Sequence, residues 1–335
     1  MSKFSVILPL RNGGNYLKEC VESILSQTYK NFELLILENC STDGGMEWLQ
    51  LQKDERIRIL PAAEPLSIEQ NWGRIKDVKK SEFITLIGHD DILHPDYLAV
   101  MDRLISKYPD ASLYLAHFNY INSSGGIIRP CKPMQQKQAP AEMLSNCLGN
   151  KMDITGTGFV MRSKDYDAVG GIPLYPSLLF ADFELWINLA GKKYMAVAPE
   201  CTFAFRIHQS TTTSSSDKIL LKGFKQFIDF LCQLKTEDES LGKVIVANTN
   251  SLLNFYCQGL TSRLLRTAIA KRDGQSVKLL IDKFRGFAKR LNSAGTFKPM
   301  NNLIVGMALF IDSNVVTRNA FLLFKKIYTK PIYKN

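Results

Sequence analysis

Asp90 and Asp91 follow closely on the apolar run 83–87, separated from it only by Gly88 and His89. Adjacent carboxylates at the end of a buried strand repel one another, and a divalent cation removes that cost. Magnesium and manganese favour oxygen ligands and commonly share one or two carboxylates with substrate phosphates. The plainer alternative is that the acids, with His94-Pro95-Asp96, only cap the next helix. Two more polar clusters end apolar runs in the same way. Pro9-Leu10-Arg11-Asn12-Gly13-Gly14 follows the run 4–8, and Glu38-Asn39-Cys40-Ser41-Thr42-Asp43-Gly44 follows the run 32–37. Ligands of parallel α/β sheets bind outside the carboxyl ends of the strands, so all three clusters would line one rim.

The elements that must hold this rim are legible as alternating patterns. Runs 4–8, 32–37, 57–60 and 83–87 read as buried strands, and Tyr16, Leu17, Cys20, Val21, Ile24 and Leu25 recur at helical spacing. Residues 46–52 and 68–78 read as further helices. Strand and helix in alternation predict a parallel sheet covered on both faces. After Asp91 the pattern loosens into a helix from about Pro95, strands around 112–119 and 127, and a helix near 140–148. A Gly-rich strand at 156–161, a helix at 182–189 and strands around Met195 and 203–207 follow. This second half reads as a mixed sheet built onto the parallel half. The Ser/Thr run 210–216 is a linker by composition. Beyond it come helices over 222–234, 244–270 with a break, and 275–291.

Taken together, Ser5-Val6-Ile7-Leu8-Pro9, Asn12, Tyr16-Leu17, Ser23-Ile24-Leu25-Ser26-Gln27-Thr28-Tyr29, Phe32-Glu33-Leu34 and Ser41-Thr42-Asp43-Gly44 resemble the start of the family 2 glycosyltransferases. The resemblance continues through Asn71-Trp72, Asp90-Asp91, Gly156-Thr157-Gly158, Asp182-Phe183-Glu184-Leu185-Trp186 and Arg206-Ile207-His208, and so covers about residues 3–212. It implies an α/β fold of GT-A type, a Rossmann-like mixed sheet that binds a nucleotide. The catalytic domain would span 1–212, followed by a basic, mainly helical region over 213–335. It also implies an inverting glycosyltransferase that moves a sugar from a UDP- or dTDP-sugar donor to a hydroxyl of a carbohydrate or lipid-linked acceptor. Bacterial surface polysaccharide assembly, of O-antigen or capsule, is the context the family suggests.

The resemblance also implies roles. Pro9, Arg11 and Asn12 match the nucleotide-binding loop, Asn39 the reader of the base edge, and Asn71 a further donor contact. Asp90 matches the last acid of the D-x-D motif, which reaches a divalent metal, manganese or magnesium, on the diphosphate, and His208 matches a histidine that completes the metal site. Gly88 stands where many members carry the first acid, leaving Asp91 or His89 to cover the ribose. Gly156, Thr157 and Gly158 match a loop that approaches the donor sugar, where missing side chains let backbone come close. Asp182 matches the general base, with Glu184 as the second candidate. Ala181 replaces the acid that usually precedes it.

Composition bounds the rest. A chain of 335 residues suits one large α/β domain plus an appendage. The net charge is +10, but residues 218–335 hold 20 Lys+Arg against 7 Asp+Glu, or +13, leaving −3 for residues 1–217. The first part therefore needs no nucleic acid partner. The basic tail either meets an anionic membrane surface, or packs on the catalytic domain or in a homodimer with its lysines solvated. Seven scattered cysteines without a C-x-x-C pair fit reduced thiols. The N-terminal apolar run is too short for a signal segment and is interrupted by proline. The best apolar stretch, 303–311, is about half of a bilayer span. The expected location is the cytoplasm, at the inner face of the membrane if the tail binds there. A nucleotidyltransferase would need a Gly-rich phosphate loop with a basic residue, which Arg11-Asn12-Gly13-Gly14 matches only faintly. Gly88 and Ala181 motivate a third reading, a degenerate nucleotide-sugar-binding protein.

Overall fold

A computed structural model describes residues 2–207, 216–267, 272, 274–295, 297 and 302–328. Two compact units emerge, one of residues 1–143 and 152–214, the other of residues 144–151 and 215–335. The boundary expected at 212/213, His208 and nearly all of the Ser/Thr run lie outside the described residues.

The first unit is built on one mixed sheet. Strand β1 (Phe4–Leu10) is buried along its whole length and pairs in parallel with β2 (Phe32–Glu38) and β4 (Phe83–Leu86). The short β3 (Ile57–Ile59) extends the parallel half beyond β2. Burial on both faces explains why β1, β2 and β4 read as apolar runs, while β3 at the edge is only partly covered. The remaining strands are β5 (Ile92–Leu93), β6 (Leu113–Ile121), β7 (Ile127–Pro130), β8 (Lys137–Gln138), β9 (Phe159–Arg162) and β10 (Met195–Arg206). Their order is β3-β2-β1-β4-β9-β6-β10-β5, with β7 on β6 and β8 on β10. Strand β9 runs antiparallel to both β4 and β6, which makes the sheet mixed.

The connecting helices are α1 (Gly14–Leu25), α2 (Gly45–Gln50), α3 (Ile68–Gly73), α4 (Tyr97–Lys107), α5 (Pro140–Leu148), α6 (Ser163–Ala168) and α7 (Ala181–Lys192). Helix α1 buries Leu17, Cys20, Val21 and Ile24, the stripe its spacing predicts. Helix α3 starts at a capping box between Ser67 and Gln70, each satisfying a backbone N–H of the other.

Two local expectations change. Residues 156–158 form a turn, and the strand begins only at Phe159. Gly158 adopts φ +81°, and a Cβ there would lie 2.6 Å from the Phe203 ring, so both backbone and space demand glycine. The two strands expected around Met195 and 203–207 are one strand, β10. Bulges between Ala198 and Phe203 shift its register against β6 and break the alternation.

The second unit contains α8 (Asp217–Glu237), α9 (Glu239–Arg266), α10 (Val277–Leu291), α11 (Asn302–Ser313) and α12 (Val315–Tyr328). Phe224, Phe227, Ile245, Leu253 and Phe284 are fully buried within it. The break expected within 244–270 is absent through Arg266, the end of α9. Asn248 and Thr249 turn their side chains back onto the carbonyls of Val244 and Ile245, so these weak helix formers stay satisfied inside the helix. Asp312 on α11 is buried and accepts from Arg272 at 2.5 Å, from Arg318 at 2.9 Å and from the Val277 N–H at 2.7 Å. Among the described residues no single helix is long and apolar enough to cross a membrane. Residues 305–313 and 315–325 pass only as a pair, bent by 114°.

Candidate active site

The carboxyl ends of β1, β2 and β4 carry the three polar clusters, as their parallel pairing requires. The first two are laced together. Asn12, at φ +51°, accepts the Thr42 N–H at 2.8 Å and donates its own N–H to Ser41 Oγ at 3.0 Å. Asp43 accepts from the N–H groups of Gly14 and Gly45. Glu38 accepts from the N–H groups of Cys40 and Ser41, at 3.1 and 2.6 Å. The loop after β2 is thus held by charge-assisted bonds on both sides.

The amides expected to face the donor are engaged within the protein. Asn39 is buried and exchanges two hydrogen bonds with the Leu66 backbone, accepting at 2.8 Å and donating at 3.0 Å. Arg11 is exposed and donates to the same Leu66 carbonyl at 3.0 Å. Asn71 is buried, donates to the Leu37 carbonyl and accepts from Arg74, which also caps the Glu38 and Leu60 carbonyls. Pro9 is buried in β1. Asn39 and Asn71 therefore brace the ends of the strands and the loop before α3, and Arg11 lies across that loop on the open side.

The acidic pair splits. Asp91 is 1% exposed; it accepts from Thr157 Oγ1 at 2.5 Å and from the Arg206 N–H at 3.1 Å. Burial first, and then the neighbouring Asp90 charge, push its carboxyl well above the ordinary carboxylate range. Its side chain thus turns inward, to Thr157 and the Arg206 backbone, whereas the family resemblance implies a share in the ribose contact. Asp90 stays half-buried at the rim. A Cβ on Gly88 would lie 2.5 Å from Asp90 Oδ1 and 3.2 Å from Asp91 Oδ2, so the missing side chain leaves the space that Asp90 fills. That carboxylate is an oxygen donor of the kind a hard divalent cation takes. Among the described residues no three His, Cys, Asp or Glu side chains gather to hold a metal by themselves.

Arg206 is the organiser that sequence reading did not single out, although it appears in the quoted motif. It is 3% exposed and ends β10. Its Nε donates to the Asp90 carbonyl at 2.7 Å, Nη1 to the Asn122 and Ser123 carbonyls, and Nη2 to Glu19 at 2.6 Å, while its plane lies over the Tyr16 ring. One guanidinium thereby fixes the turn after β4 to the β6–β7 hairpin and to α1. Beside it lies a polar cleft of about 660 Å³, bordered by Asn12, Tyr16, Glu19, His89 and Ser123.

Thr157 connects the acidic turn to the opposite wall. Thr155 donates to the Thr157 carbonyl, and Trp186 of α7 donates to the Thr155 carbonyl. Asp182, in the first turn of α7, approaches the same loop: a Cβ at Gly156 would sit 3.9 Å from Asp182 Oδ2. Burial raises the Asp182 carboxyl to about 6, against the pull of backbone N–H groups at the helix start. Burial also raises Glu184, whose carboxylate accepts from the Tyr175 hydroxyl.

A nucleotide-type α/β sheet with an acidic turn at its carboxyl rim and a helix-borne carboxyl across from it defines the GT-A class of fold. S. aureus TarS, residues 1–349 in complex with UDP-GlcNAc, superimposes with a TM-score of 0.62 over 99% of this chain and 94% of that one, at 12% identity. Residues 5–170 match the family described as Glycosyl transferase family 2, and through this domain the chain belongs to that family. Glycosyltransferase GlyG of Streptococcus pneumoniae is 33% identical over 124 residues, 36% of this chain and 41% of GlyG. An uncharacterized glycosyltransferase of Rickettsia conorii is 28% identical over 192 residues, 55% of this chain and 31% of that protein. The chain thus matches less than half the length of either relative.

Proposed function

We propose that the protein is an inverting glycosyltransferase that moves a sugar from a UDP- or dTDP-sugar to a hydroxyl of a carbohydrate or lipid-linked acceptor, in bacterial surface polysaccharide assembly. The observation that carries the reading is the link from the acidic turn, through Thr157, to Gly156 and the raised carboxyl of Asp182. A base poised near 6 is ionised at neutral pH yet still basic enough to take a proton. Asp182 would accept the acceptor's hydroxyl proton as that oxygen bonds to the anomeric carbon and the bond to the nucleoside diphosphate breaks. A single displacement of this kind inverts the centre and needs no second carboxylate nucleophile.

The residues present suit a shared metal. Asp90 would hold a magnesium or manganese ion together with the donor's diphosphate, and His208, by its match to the family motif, would complete the site. The ion, when bound, offsets the charge that develops on the leaving diphosphate. The chain's own part is to keep Asp90 at the rim, which Gly88 permits and the Arg206 bond to the Asp90 carbonyl enforces. Arg11 and the Leu66 backbone would border the base and ribose, and Gly156 and Gly158 would let the loop approach the sugar. The UDP-GlcNAc named with TarS supports a uridine donor; the surface-glycan context rests on the family resemblance.

The test is a donor panel incubated with hydroxyl acceptors, read by mass spectrometry for product and nucleoside diphosphate. Transfer that disappears in chelator and in Asp90→Ala, with the fold intact, supports the reading. Donor binding without release of diphosphate would favour a binding protein, and release of pyrophosphate would favour nucleotidyl transfer.

A further inference from the structure

The second unit turns a large apolar surface outward. On α11, Met307 and Phe310 are 56% and 67% exposed; on α12, Val316, Leu323 and Phe324 are 78%, 63% and 55% exposed. Val316, Ala320, Leu323 and Phe324 recur at i, i+4, i+7 and i+8, so they share one face of α12. The two helices meet at Ser313 and Asn314 and bend by 114°. What fixes the bend is polar: Arg318 at the start of α12 donates to the Asp312 carbonyl and pairs with its carboxylate, which Arg272 also holds. The pair is thus pinned from behind while its apolar residues face out. Patches of this kind mark interaction sites.

Charge decides the occupant. Residues 302–335 carry five Lys+Arg and one acid, and that acid is the buried Asp312. The surrounding region, 218–335, is +13. A second copy of the same unit would bring like charge against like, whereas an anionic lipid surface attracts it and accepts the apolar ridge.

We infer that α11 and α12 form a bent, monotopic anchor that lies in the headgroup region of an anionic membrane, with Phe310, Leu323 and Phe324 inserted and Lys325 at the phosphates. Helices too short to span, with a one-sided apolar face and flanking lysines, bind in this manner. The anchor is independent of donor choice, and its test requires neither donor nor turnover.

The experiment is co-sedimentation of the full chain with phosphatidylglycerol–phosphatidylcholine vesicles and with phosphatidylcholine vesicles, at low and high salt. The expected result is binding that is about tenfold or more tighter on the anionic vesicles and weakened by salt. Phe310→Ser with Leu323→Ser, both exposed and so compatible with an unchanged melting curve, should lower binding by about tenfold or more at either salt. Lys325→Glu with Lys326→Glu should abolish the anionic preference. Equal, negligible binding to both vesicle types overturns the inference. So does sedimentation velocity that shows a dimer of the wild type lost in the serine variant, which would make the ridge a contact between copies.

Discussion

Asp182 carries two opposed requirements in one carboxyl. Its ionised form is needed to take a proton, yet burial raises it to about 6. Asp182→Asn should therefore lower turnover by about 10²–10⁴-fold with little change in donor binding. In the wild type the rate should fall about tenfold per pH unit below an apparent value near 6, where the base is protonated. The stability sign is the reverse. Because the folded-state carboxyl holds its proton more tightly than an unfolded aspartate, its favourable contribution is present below about 4 and is lost as pH rises through about 6. Asp182→Asn mimics the protonated form, so its melting temperature should exceed the wild type's at pH 8 and match it at pH 4. An active Asp182→Asn beside an inactive Glu184→Gln would move the base to Glu184, whose bond to Tyr175 holds it nearby.

At the scale of elements, the turn after β4 is positioned by a side chain more than a hundred residues away. Arg206→Lys keeps the charge and loses the planar fork that reaches the Asp90, Asn122 and Ser123 carbonyls. The expected outcome is a folded protein with a lower melting temperature and a raised KM for donor. A fall in stability with unchanged KM would make Arg206 a structural brace alone. The sequence made the parallel half legible because β1, β2 and β4 are buried on both faces and their polar ends fall where strands must end. It was mute where tertiary contacts rule. Asn39 and Asn71 have the type and spacing of ligand readers, but only the path of the chain through Leu66 and Leu37 reveals what they bond. The turn at 156–158 and the bulges of β10 leave no local pattern, because one rests on the Phe203 ring and the other on register with β6.

For the whole molecule, the second unit depends on polar burial as well as on its aromatic core. Asp312→Ala would leave Arg272, which is 3% exposed, without its carboxylate, with only the backbone carbonyls of Thr267 and Leu265 to accept from it. Removing one member of a buried ion pair costs about 3–5 kcal/mol. Limited proteolysis should then cut near α11 at protease levels that leave the wild type intact, while nucleotide binding by the first unit persists. An unchanged digestion pattern would show that the pin contributes little. The aromatic core, with Phe224, Phe227 and Phe284 fully buried, should keep α8, α9 and α10 folded in the variant.

Residues 144–151 pack with the second unit, although the chain returns to the first unit for residues 152–214 before it reaches residue 215. During synthesis this segment leaves the ribosome 64 residues ahead of the rest of its unit, which begins at residue 215. Domains generally fold as they emerge, N-terminal first. Leu144, Cys147 and Leu148, all buried in the finished protein, are thus made before the rest of their unit, which includes Asn248 of α9, the donor to Ser145. The expected consequence is a stage of synthesis in which the end of α5 presents these apolar side chains before the second unit exists, an interval in which a chaperone would protect the chain.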